Sequence, residues 1–346
     1  MLILVLNSGS SSIKYKLFDI SKDCEKLLDK GITERIGEKI PTHREALKVI
    51  LDKMTSKIDA VGHRVVHGGD RFKSSVLIDN NVIKAIEDFT ELAPLHNPPS
   101  LLTIVESRKI LSDIPHVAVF DTAFYQDMPM YAYFYAIPYK FYEKYRIRKY
   151  GFHGTSHRYV ALQASIILKR PVEELKIITC HLGNGCSITA VKNGKAIDTS
   201  MGFTPLEGLV MGTRSGDMDP AIIPYIMEKE HIDANKVIEL LNKESGLLGV
   251  SEISNDMREL VKESSHNKKA KLAIDVFIYR IKKYIGAYTG IMNGVDAIVF
   301  TGGVGENQPL VIDEISKLIR ASGVKVLTIP TDEELMIARD TYEVVK

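Results

Sequence analysis

The order of apolar and polar residues predicts short buried strands that alternate with amphipathic helices. Residues 2–6 form a continuous apolar run, as in a strand buried on both faces, and the alternation across residues 13–17 predicts a second strand. Further strands are expected at residues 58–69, 116–120, 176–191, 195–198, 297–300 and 325–329. Helical spacing occurs at residues 43–57, 81–92, 156–168, 221–230, 233–243 and 269–293, and helices are expected to open at 99–100 and 330–334. Residues 24–39 show no period.

A serine-rich turn joins the first two strands and is matched by a glycine-rich turn half a chain later. Residues 8–12 carry four hydroxyls around Gly9, and within residues 176–191 a buried strand again meets a polar turn that an alternating strand leaves. Such turns hold backbone N–H groups open to an anion, and Lys14 adds a point charge suited to phosphate. Two such units about 175 residues apart indicate duplicated domains facing one another, with their phosphate loops meeting across a cleft.

Composition narrows the class of protein. The 346 residues are 45% hydrophobic and 26% charged, which is typical of a globular protein long enough for two domains. Lys plus Arg (45) and Asp plus Glu (44) nearly cancel, so no long-range field favours nucleic acid or an acidic membrane. There is no membrane-spanning run or signal peptide, and three cysteines without metal spacing, Cys24, Cys180 and Cys186, suit a reducing compartment. We therefore expect a soluble cytoplasmic protein.

Three charged residues are candidates for a catalytic or binding role. Arg64 lies within an apolar strand, where an arginine needs an anionic partner, either a ligand or a structural carboxylate. Asp121 follows the strand at residues 116–120, where ligands gather in open sheets, although it could instead cap the turn at Thr122. Arg214 is the only cation of the irregular, glycine-rich residues 199–220, and long irregular stretches in compact domains are usually functional.

Two other stretches leave their interpretation open. His153 and His157 are four residues apart and could share a metal on a helix, but Gly154 lies between them and no third ligand is evident. Residues 131–150 hold seven of the fifteen tyrosines. Base stacking is one interpretation of this stretch, but the balanced charge favours a half-exposed platform or a dimer surface.

Together these stretches resemble the acetokinase family, the acetate kinases of the sugar kinase, Hsp70 and actin superfamily. The motifs that carry the resemblance are residues 7–14, 62–69, 92–99, 120–124, 150–157, 181–185, 211–220 and 331–334. The chain departs from the family in being shorter near residues 37–42 and after Val311, and in having Tyr125 where a histidine is usual. The shortened segments leave every motif intact.

The resemblance implies an α/β fold of two duplicated actin-like ATPase (ribonuclease H-like) domains facing a central cleft. The first domain would comprise residues 1–149 with the helix 331–346 and bind the acyl substrate. The second, residues 150–330, would bind the nucleotide and form the dimer interface. Closure of the two domains would exclude water and limit ATP hydrolysis.

The implied activity is reversible phosphorylation of acetate to acetyl phosphate by ATP, through Mg²⁺-assisted direct in-line transfer. Mg²⁺ or Mn²⁺ and ATP/ADP are the implied cofactor and co-substrate, in a cytoplasmic homodimer without nucleic acid or membrane partners. Propionate or butyrate kinase is the alternative within the class. Outside it, a zinc hydrolase using His63, His67, His153 and His157 has no supporting carboxylate–histidine spacing. A non-catalytic nucleotide-binding or cytoskeletal protein would not need a second anion site.

The resemblance also assigns residue roles. The catalytic residues would be Asp121, His153 and Arg214. Acetate would be held by Arg64 and its methyl group by apolar neighbours, the full set being Arg64, Val66, Leu95, His96, Phe152 and Pro205. The nucleotide would contact Ser10, Ser12, Lys14, His181, Leu182, Gly183, Asn184, Gly185, Asp256, Met257, Arg258, Gly303, Val304, Gly305, Glu306 and Asn307. Asn7 and Glu333 would lie on the metal side.

Overall fold

The computed structural model describes residues 1–54, 56–94, 96–317 and 323–346. Contacts divide the chain into two compact units. The first consists of Met1–Gln126, Phe152–Ser156 and Asp332–Lys346, and the second of Asp127–Gly151 and His157–Thr331. The C-terminal helix therefore belongs to the same unit as the N-terminal strands.

In the described residues the strands are β1 (Leu2–Ser8), β2 (Ser12–Ile20), β3 (Glu25–Glu34), β4 (Ala60–Val65), β5 (Val76–Leu77), β6 (His116–Phe120), β7 (Lys176–Leu182), β8 (Cys186–Lys192), β9 (Lys195–Thr199), β10 (Ala297–Thr301) and β11 (Lys325–Thr328). The helices are α1 (His43–Leu51), α2 (Asn80–Asp88), α3 (Asn97–Ile110), α4 (Met130–Tyr133), α5 (Lys140–Tyr145), α6 (Gly154–Leu168), α7 (Ile222–Glu230), α8 (Ala234–Lys243), α9 (Gly246–Ser251), α10 (Met257–Glu263), α11 (Lys268–Met292), α12 (Gly302–Asn307), α13 (Pro309–Ser316) and α14 (Glu333–Val345). Short 3-10 turns span Phe89–Leu92, Asp121–Tyr125 and Val172–Glu174.

The two units repeat one sheet topology. The first sheet has the order β3-β2-β1-β4-β6-β5 and the second the order β11-β10-β7-β8-β9. In each, three antiparallel strands joined by hairpins (β1-β2-β3 and β7-β8-β9) continue into two parallel strands (β4-β6 and β10-β11). The first sheet adds only the antiparallel edge strand β5. The predicted duplication is thus present in the backbone.

Strand β1, in the interior of the first sheet, is buried on both faces, as its continuous apolar run predicts. Leu4 and Leu6 pack on one side against helix α1, while Ile3 and Val5 pack on the other against helix α14. Helix α14 lies close to strand β4, since a Cβ at Gly62 would come within 2.4 Å of the Thr341 hydroxyl. This contact fixes the helix whose first turn carries Glu333 and Glu334.

The structure also differs from the sequence-based elements. The helix expected at residues 43–57 ends at Leu51, and the unassigned residues 24–39 contain the strand β3. Four short helices, α4, α5, α9 and α10, were not predicted. Between β9 and α7 the described chain contains neither helix nor strand, which confirms the irregular stretch predicted there.

Candidate active site

An arginine–carboxylate pair lies at the carboxyl ends of two adjacent parallel strands of the first unit. Arg64 projects from strand β4, and Asp121 immediately follows strand β6. Arg64 Nη2 lies 2.7 Å from Asp121 Oδ2, and Arg64 Nε donates to the same oxygen at 3.2 Å. Asp121 is 1% exposed, so this carboxylate needs its partner. Burial alone would lower the pKa of Arg64, but the carboxylates of Asp121 and Glu333 raise it above its usual value.

A five-residue segment of the first unit, Phe152–Ser156, brings further groups to Asp121. Thr155 Oγ1 donates to Asp121 Oδ1 at 2.9 Å. A Cβ at Gly154 would be 2.0 Å from the Asp121 carbonyl oxygen, so only glycine permits this approach. His153, the residue before Gly154, has a left-handed backbone with φ of 56°. Thr155 was missed by the sequence reasoning although it lies within a family motif.

A small cavity of about 210 Å³ opens beside Arg64. The described residues that line it are Asn7, Ser8, Gly9, Ser12, Lys14, Arg64, Val66, His96 and Ser100. Arg64 and Val66 therefore share a face, as their two-residue spacing predicts. Ser8, Gly9 and Ser100 were not among the predicted residues. The turn that contributes Gly9 is held by its N–H bond to Ser12 O at 2.8 Å and by His43 Nε2, 3.0 Å from Gly9 O.

The N-terminus of helix α14 forms a polar network with the pair. Lys16 Nζ lies 2.8 Å from Asp332 Oδ1 and 3.1 Å from Glu334 Oε2. Glu334 Oε1 accepts from the Asn7 amide at 3.4 Å, and Asn7 Oδ1 accepts from Arg64 Nη1 at 3.4 Å. Hence Asn7 presents its oxygen toward the guanidinium. Lys16 and Glu334 were also missed.

Glu333 differs from its neighbour Glu334 in that its pKa is raised, whereas the pKa of Glu334 is lowered. Its Oε2 lies 3.5 Å from Arg64 Nε, and its side chain is 13% exposed. Burial raises the pKa of Glu333 to about 7; Asp121 and Glu334 add to the shift, while Arg64 and Lys14 oppose it. The shift favours the protonated form of Glu333 more than that of an exposed glutamate.

Arg214, in the second unit, is a half-buried cation whose contacts are neutral. Its Nη1 donates to the Pro205 carbonyl at 3.2 Å and approaches Met211 Sδ at 3.6 Å. The nearby acids serve elsewhere, because Asp217 accepts from Tyr284 OH at 2.7 Å and Asp219 accepts from the Ala221 amide at 2.9 Å. Burial lowers the pKa of Arg214. A desolvated cation without a counter-ion among the described residues is suited to an incoming anion.

The second unit also contains a cavity of about 700 Å³. Among the described residues it is lined by Gly183, Asn184, Leu247, Asn255, Asp256, Met257, Arg258, Gly303, Val304, Asn307 and Gln308. Eight of these were predicted as nucleotide contacts, whereas Leu247, Asn255 and Gln308 were not. Asp256 begins helix α10 by accepting from Arg258 N at 2.8 Å, which fixes one wall.

Several predicted residues lie away from these cavities. Five predicted nucleotide contacts of the second unit are not among the described residues that line the larger cavity: His181, Leu182, Gly185, Gly305 and Glu306. Glu306 instead accepts from the Gly302 amide at 2.9 Å, and Leu182 is buried in strand β7. Ser10 is exposed. Of the predicted acyl pocket, Phe152 is in the first unit and Pro205 in the second, and Leu95 lies outside the described residues.

His63 and His157, two of the histidines considered as zinc ligands, form hydrogen bonds within the core. His157 is fully buried, and its two ring nitrogens lie 2.7 Å from Thr179 Oγ1 and 2.6 Å from Ser187 Oγ. His63 Nε2 likewise lies 3.0 Å from His116 Nδ1. Across the described ranges, no three histidine, cysteine, aspartate or glutamate side chains form a metal-binding group. His157 and His63 are therefore buried core residues with hydrogen-bonded rings, whereas His153 is only half-buried.

In the part of the chain that the structure describes, no helix is both long and apolar enough to span a bilayer.

Comparison with known proteins gives a consistent result. The sequence model of the acetokinase family matches residues 2–326. The acetate kinase of Thermotoga maritima is 52% identical over 401 aligned residues, covering 100% of this chain and 99% of its own. A solved acetate kinase from Porphyromonas gingivalis has a TM-score of 0.93 at 44% identity, with 100% of both chains covered. A propionate kinase from Francisella tularensis has a TM-score of 0.90 at 40% identity, covering 99% of this chain and 100% of its own.

The duplicated sheets and the similarity to a solved acetate kinase define a kinase built from two actin-like ATPase domains, which confirms the predicted fold class. More narrowly, the chain belongs to the acetokinase family, as the sequence motifs predicted. Membership implies ATP or ADP as co-substrate. The aligned length exceeds the 346 residues of the chain, so its relative contains segments that this protein lacks.

Proposed function

We propose that this protein phosphorylates acetate with ATP, reversibly forming acetyl phosphate and ADP by direct in-line transfer. The observation that carries the proposal is the Arg64 guanidinium, which lines a cavity of about 210 Å³ together with the apolar side chain of Val66. A planar guanidinium is suited to a planar carboxylate, and an adjacent apolar wall is suited to a short alkyl group. The cavity has room for a short carboxylic acid.

The acceptor chemistry requires no general base. Acetate is already an anion at neutral pH and attacks phosphorus through a carboxylate oxygen. Asp121 accepts from a guanidinium at one oxygen and from a threonine hydroxyl at the other, so both of its oxygens are already engaged. We assign Asp121 the roles of orienting Arg64 and of adding negative charge on the metal side.

The other catalytic groups stabilise charge on the phosphoryl group. Arg214 and His153 would bind its equatorial oxygens, where charge accumulates in a loose transition state. Ser10, Ser12 and Lys14 would approach the phosphates from the first unit. The cavity of the second unit would hold the nucleotide, with Gly183 and Asn184 near the β-phosphate and Asp256, Arg258 and Gly303 near the nucleoside.

The oxygen donors near Arg64 fit a magnesium ion. Mg²⁺ is usually held by one or two carboxylates together with phosphate oxygens and water, and does not need a cage of protein ligands. Glu333 supplies a largely buried carboxylate and Asn7 an amide oxygen, so we assign these two residues to the metal. When bound, the ion would offset the negative charge of the nucleotide phosphates.

The raised pKa of Glu333 predicts pH-dependent metal binding. Because protons and Mn²⁺ compete for this carboxylate, the affinity for Mn²⁺ should rise as pH increases through about 7. Free Mn²⁺ can be counted by electron paramagnetic resonance with protein and ADP between pH 6 and 8. Glu333→Gln should remove the pH dependence, whereas Glu343→Gln, an exposed change on the same helix, should retain it. An unchanged profile in Glu333→Gln would exclude Glu333 as a ligand.

The activity is tested by trapping acyl phosphate as its hydroxamate. Purified protein with ATP and Mg²⁺ should form the hydroxamate of acetate, with less from propionate and less again from butyrate. Formation that depends on none of the three acids would refute the proposal. A preference for propionate would instead support the alternative, a propionate kinase. The structural similarity to a propionate kinase is the reason to test this acid.

The preference for acetate should depend on Val66. An apolar pocket discriminates by only about 1–3 kcal/mol per methylene, so acetate should exceed propionate by roughly ten- to a few-hundred-fold in kcat/KM. Val66→Ala removes two methyl groups from the cavity wall and should shift kcat/KM toward propionate without changing the KM for ATP.

Val65→Ala is the matched control for this prediction. Val65 is fully buried in the core of the first unit, so its truncation should lower stability without altering the ratio of the two acids. Equal losses of both activities in Val66→Ala would show that Val66 is an ordinary core residue.

We further propose that the protein is a cytoplasmic homodimer. Its three cysteines are free thiols, which suits a reducing compartment. Several tyrosines of α4, α5 and their connection are exposed, among them Tyr131 at 88%, and the same region contains a cluster of contacting rings that includes Tyr133 and Tyr142. Exposed tyrosines are common in interfaces. Light scattering after size exclusion should give twice the chain mass, and a monomer would contradict the proposal.

A further inference from the structure

The 3-10 turn Asp121–Tyr125 holds the segment Phe152–Ser156 by hydrogen bonds from both of its ends. At the first end Asp121 Oδ1 accepts from Thr155 Oγ1 at 2.9 Å. At the other end Tyr125 OH donates to the Phe152 carbonyl at 2.6 Å. His153 lies between these two bonds, and Gly154 brings the backbone directly onto the turn.

The hydrogen bond from Tyr125 restrains the backbone at His153, which has a conformation that non-glycine residues rarely adopt. The Phe152 carbonyl belongs to the same peptide unit as the His153 amide nitrogen, so fixing that carbonyl fixes the peptide plane that enters His153. His153 has a φ of 56°, a conformation that side-chain-bearing residues adopt only where the surroundings enforce it. Without the bond, the peptide could rotate toward a more common conformation.

The same bond also positions the Phe152 side chain. The Phe152 ring is 2% exposed and meets the His67 ring edge-on, with centroids 5.7 Å apart. Its backbone is restrained by Tyr125 and its ring by His67, so both are needed for one fixed orientation. Tyr125 itself is completely buried and is not among the described residues that line the cavity beside Arg64.

We propose that Tyr125 is a positioning residue for phosphoryl transfer, holding His153 and Phe152 in their working positions through one backbone hydrogen bond. The inference rests on the proposed function, in which His153 meets the phosphoryl group and Phe152 limits the size of the acid. Loss of the hydroxyl should therefore affect both the rate and the discrimination between acids.

The test compares Tyr125→Phe with a matched control, Tyr150→Phe. Tyr150 is also fully buried, and its hydroxyl also donates to a backbone carbonyl, that of Arg146 at 2.9 Å, within the second unit. Hydroxamate kinetics with acetate and propionate are measured for wild type and both variants, together with the melting temperature. The acetate-to-propionate ratio of kcat/KM does not depend on the fraction of folded enzyme, so it separates positioning from stability.

For Tyr125→Phe we expect kcat/KM for acetate to fall about tenfold, mostly in kcat, and the ratio to shift about threefold or more toward propionate. The KM for ATP should not change, and Tyr150→Phe should keep the wild-type rate and ratio. A lower melting temperature with unchanged kinetics, or equal changes in both variants, would overturn the proposal. If the wild type itself forms no acyl phosphate, the proposed function fails and the role of Tyr125 fails with it.

Discussion

Replacing Arg214 with alanine is expected to lower kcat for acyl phosphate formation by about 10³-fold, the scale found for arginines that meet charge developing on a transferring phosphoryl group. The structure supports this magnitude because Arg214 is a half-buried cation whose contacts are a carbonyl and a thioether. The positive charge of Arg214 can thus stabilise negative charge on the reactants. The KM for acetate should change only a few-fold, since the charge arises during transfer. Steady-state kinetics with acetate and ATP measure both parameters.

Two comparisons make this prediction specific. Arg64→Ala should mainly raise the KM for acetate, because Arg64 is assigned to the carboxylate of the bound substrate. Arg170→Ala removes an exposed arginine of the second unit that pairs with Asp296 at 2.8 Å, and it should leave the kinetics unchanged. If Arg214→Ala and Arg64→Ala both raised the KM for acetate and left kcat intact, the assigned division between the two arginines would be wrong.

The strands that the sequence predicted well are those whose burial is either continuous or regularly alternating. Strand β1 packs Leu4 on one face and Ile3 on the other, so a continuous apolar run indicates it directly. Strand β3 escaped prediction because it is a mostly exposed edge strand, with Leu27 and Leu28 about 40% exposed. Its conformation is set by pairing with strand β2, a tertiary contact that leaves no period in the local sequence.

The residues of the candidate site also separate into those with a local sequence pattern and those defined only by tertiary contacts. Arg64, Asp121 and Arg214 could be predicted because charge in an apolar strand, at a strand end or in a glycine-rich loop conflicts with ordinary packing. Thr155 and Tyr125 could not, since a threonine at a helix start and a buried tyrosine are common and have no distinctive local pattern. Thr155 contacts a carboxylate 34 residues away, and that contact exists only after folding.

Asp121→Asn is expected to lose at least about a hundredfold in kcat while the fold and the affinity for nucleotide are retained. The amide keeps the size of the carboxylate and can still accept a bond from Thr155. It cannot neutralise Arg64, whose Nη2 lies 2.7 Å from the lost charge, and it adds no negative charge for the metal. The nucleotide cavity is lined by residues of the second unit, so ATP binding should be spared. Kinetics and equilibrium binding of ATP would measure the two effects separately.

Asp340→Asn is the matched control, because Asp340 is also a buried carboxylate of the first unit but bonds the Ser75 hydroxyl, 2.8 Å away, and is not among the described residues lining the cavity. The Asp340→Asn variant should keep the wild-type kcat.

Partial recovery of Asp121→Asn with a different divalent metal would agree with the assigned role. The opposite view, that Asp121 is a general base, makes a different prediction: the acid limb of the pH–rate profile should disappear in the mutant. Since acetate reacts as an anion and Asp121 is held by a guanidinium, we expect that limb to persist with a lower plateau.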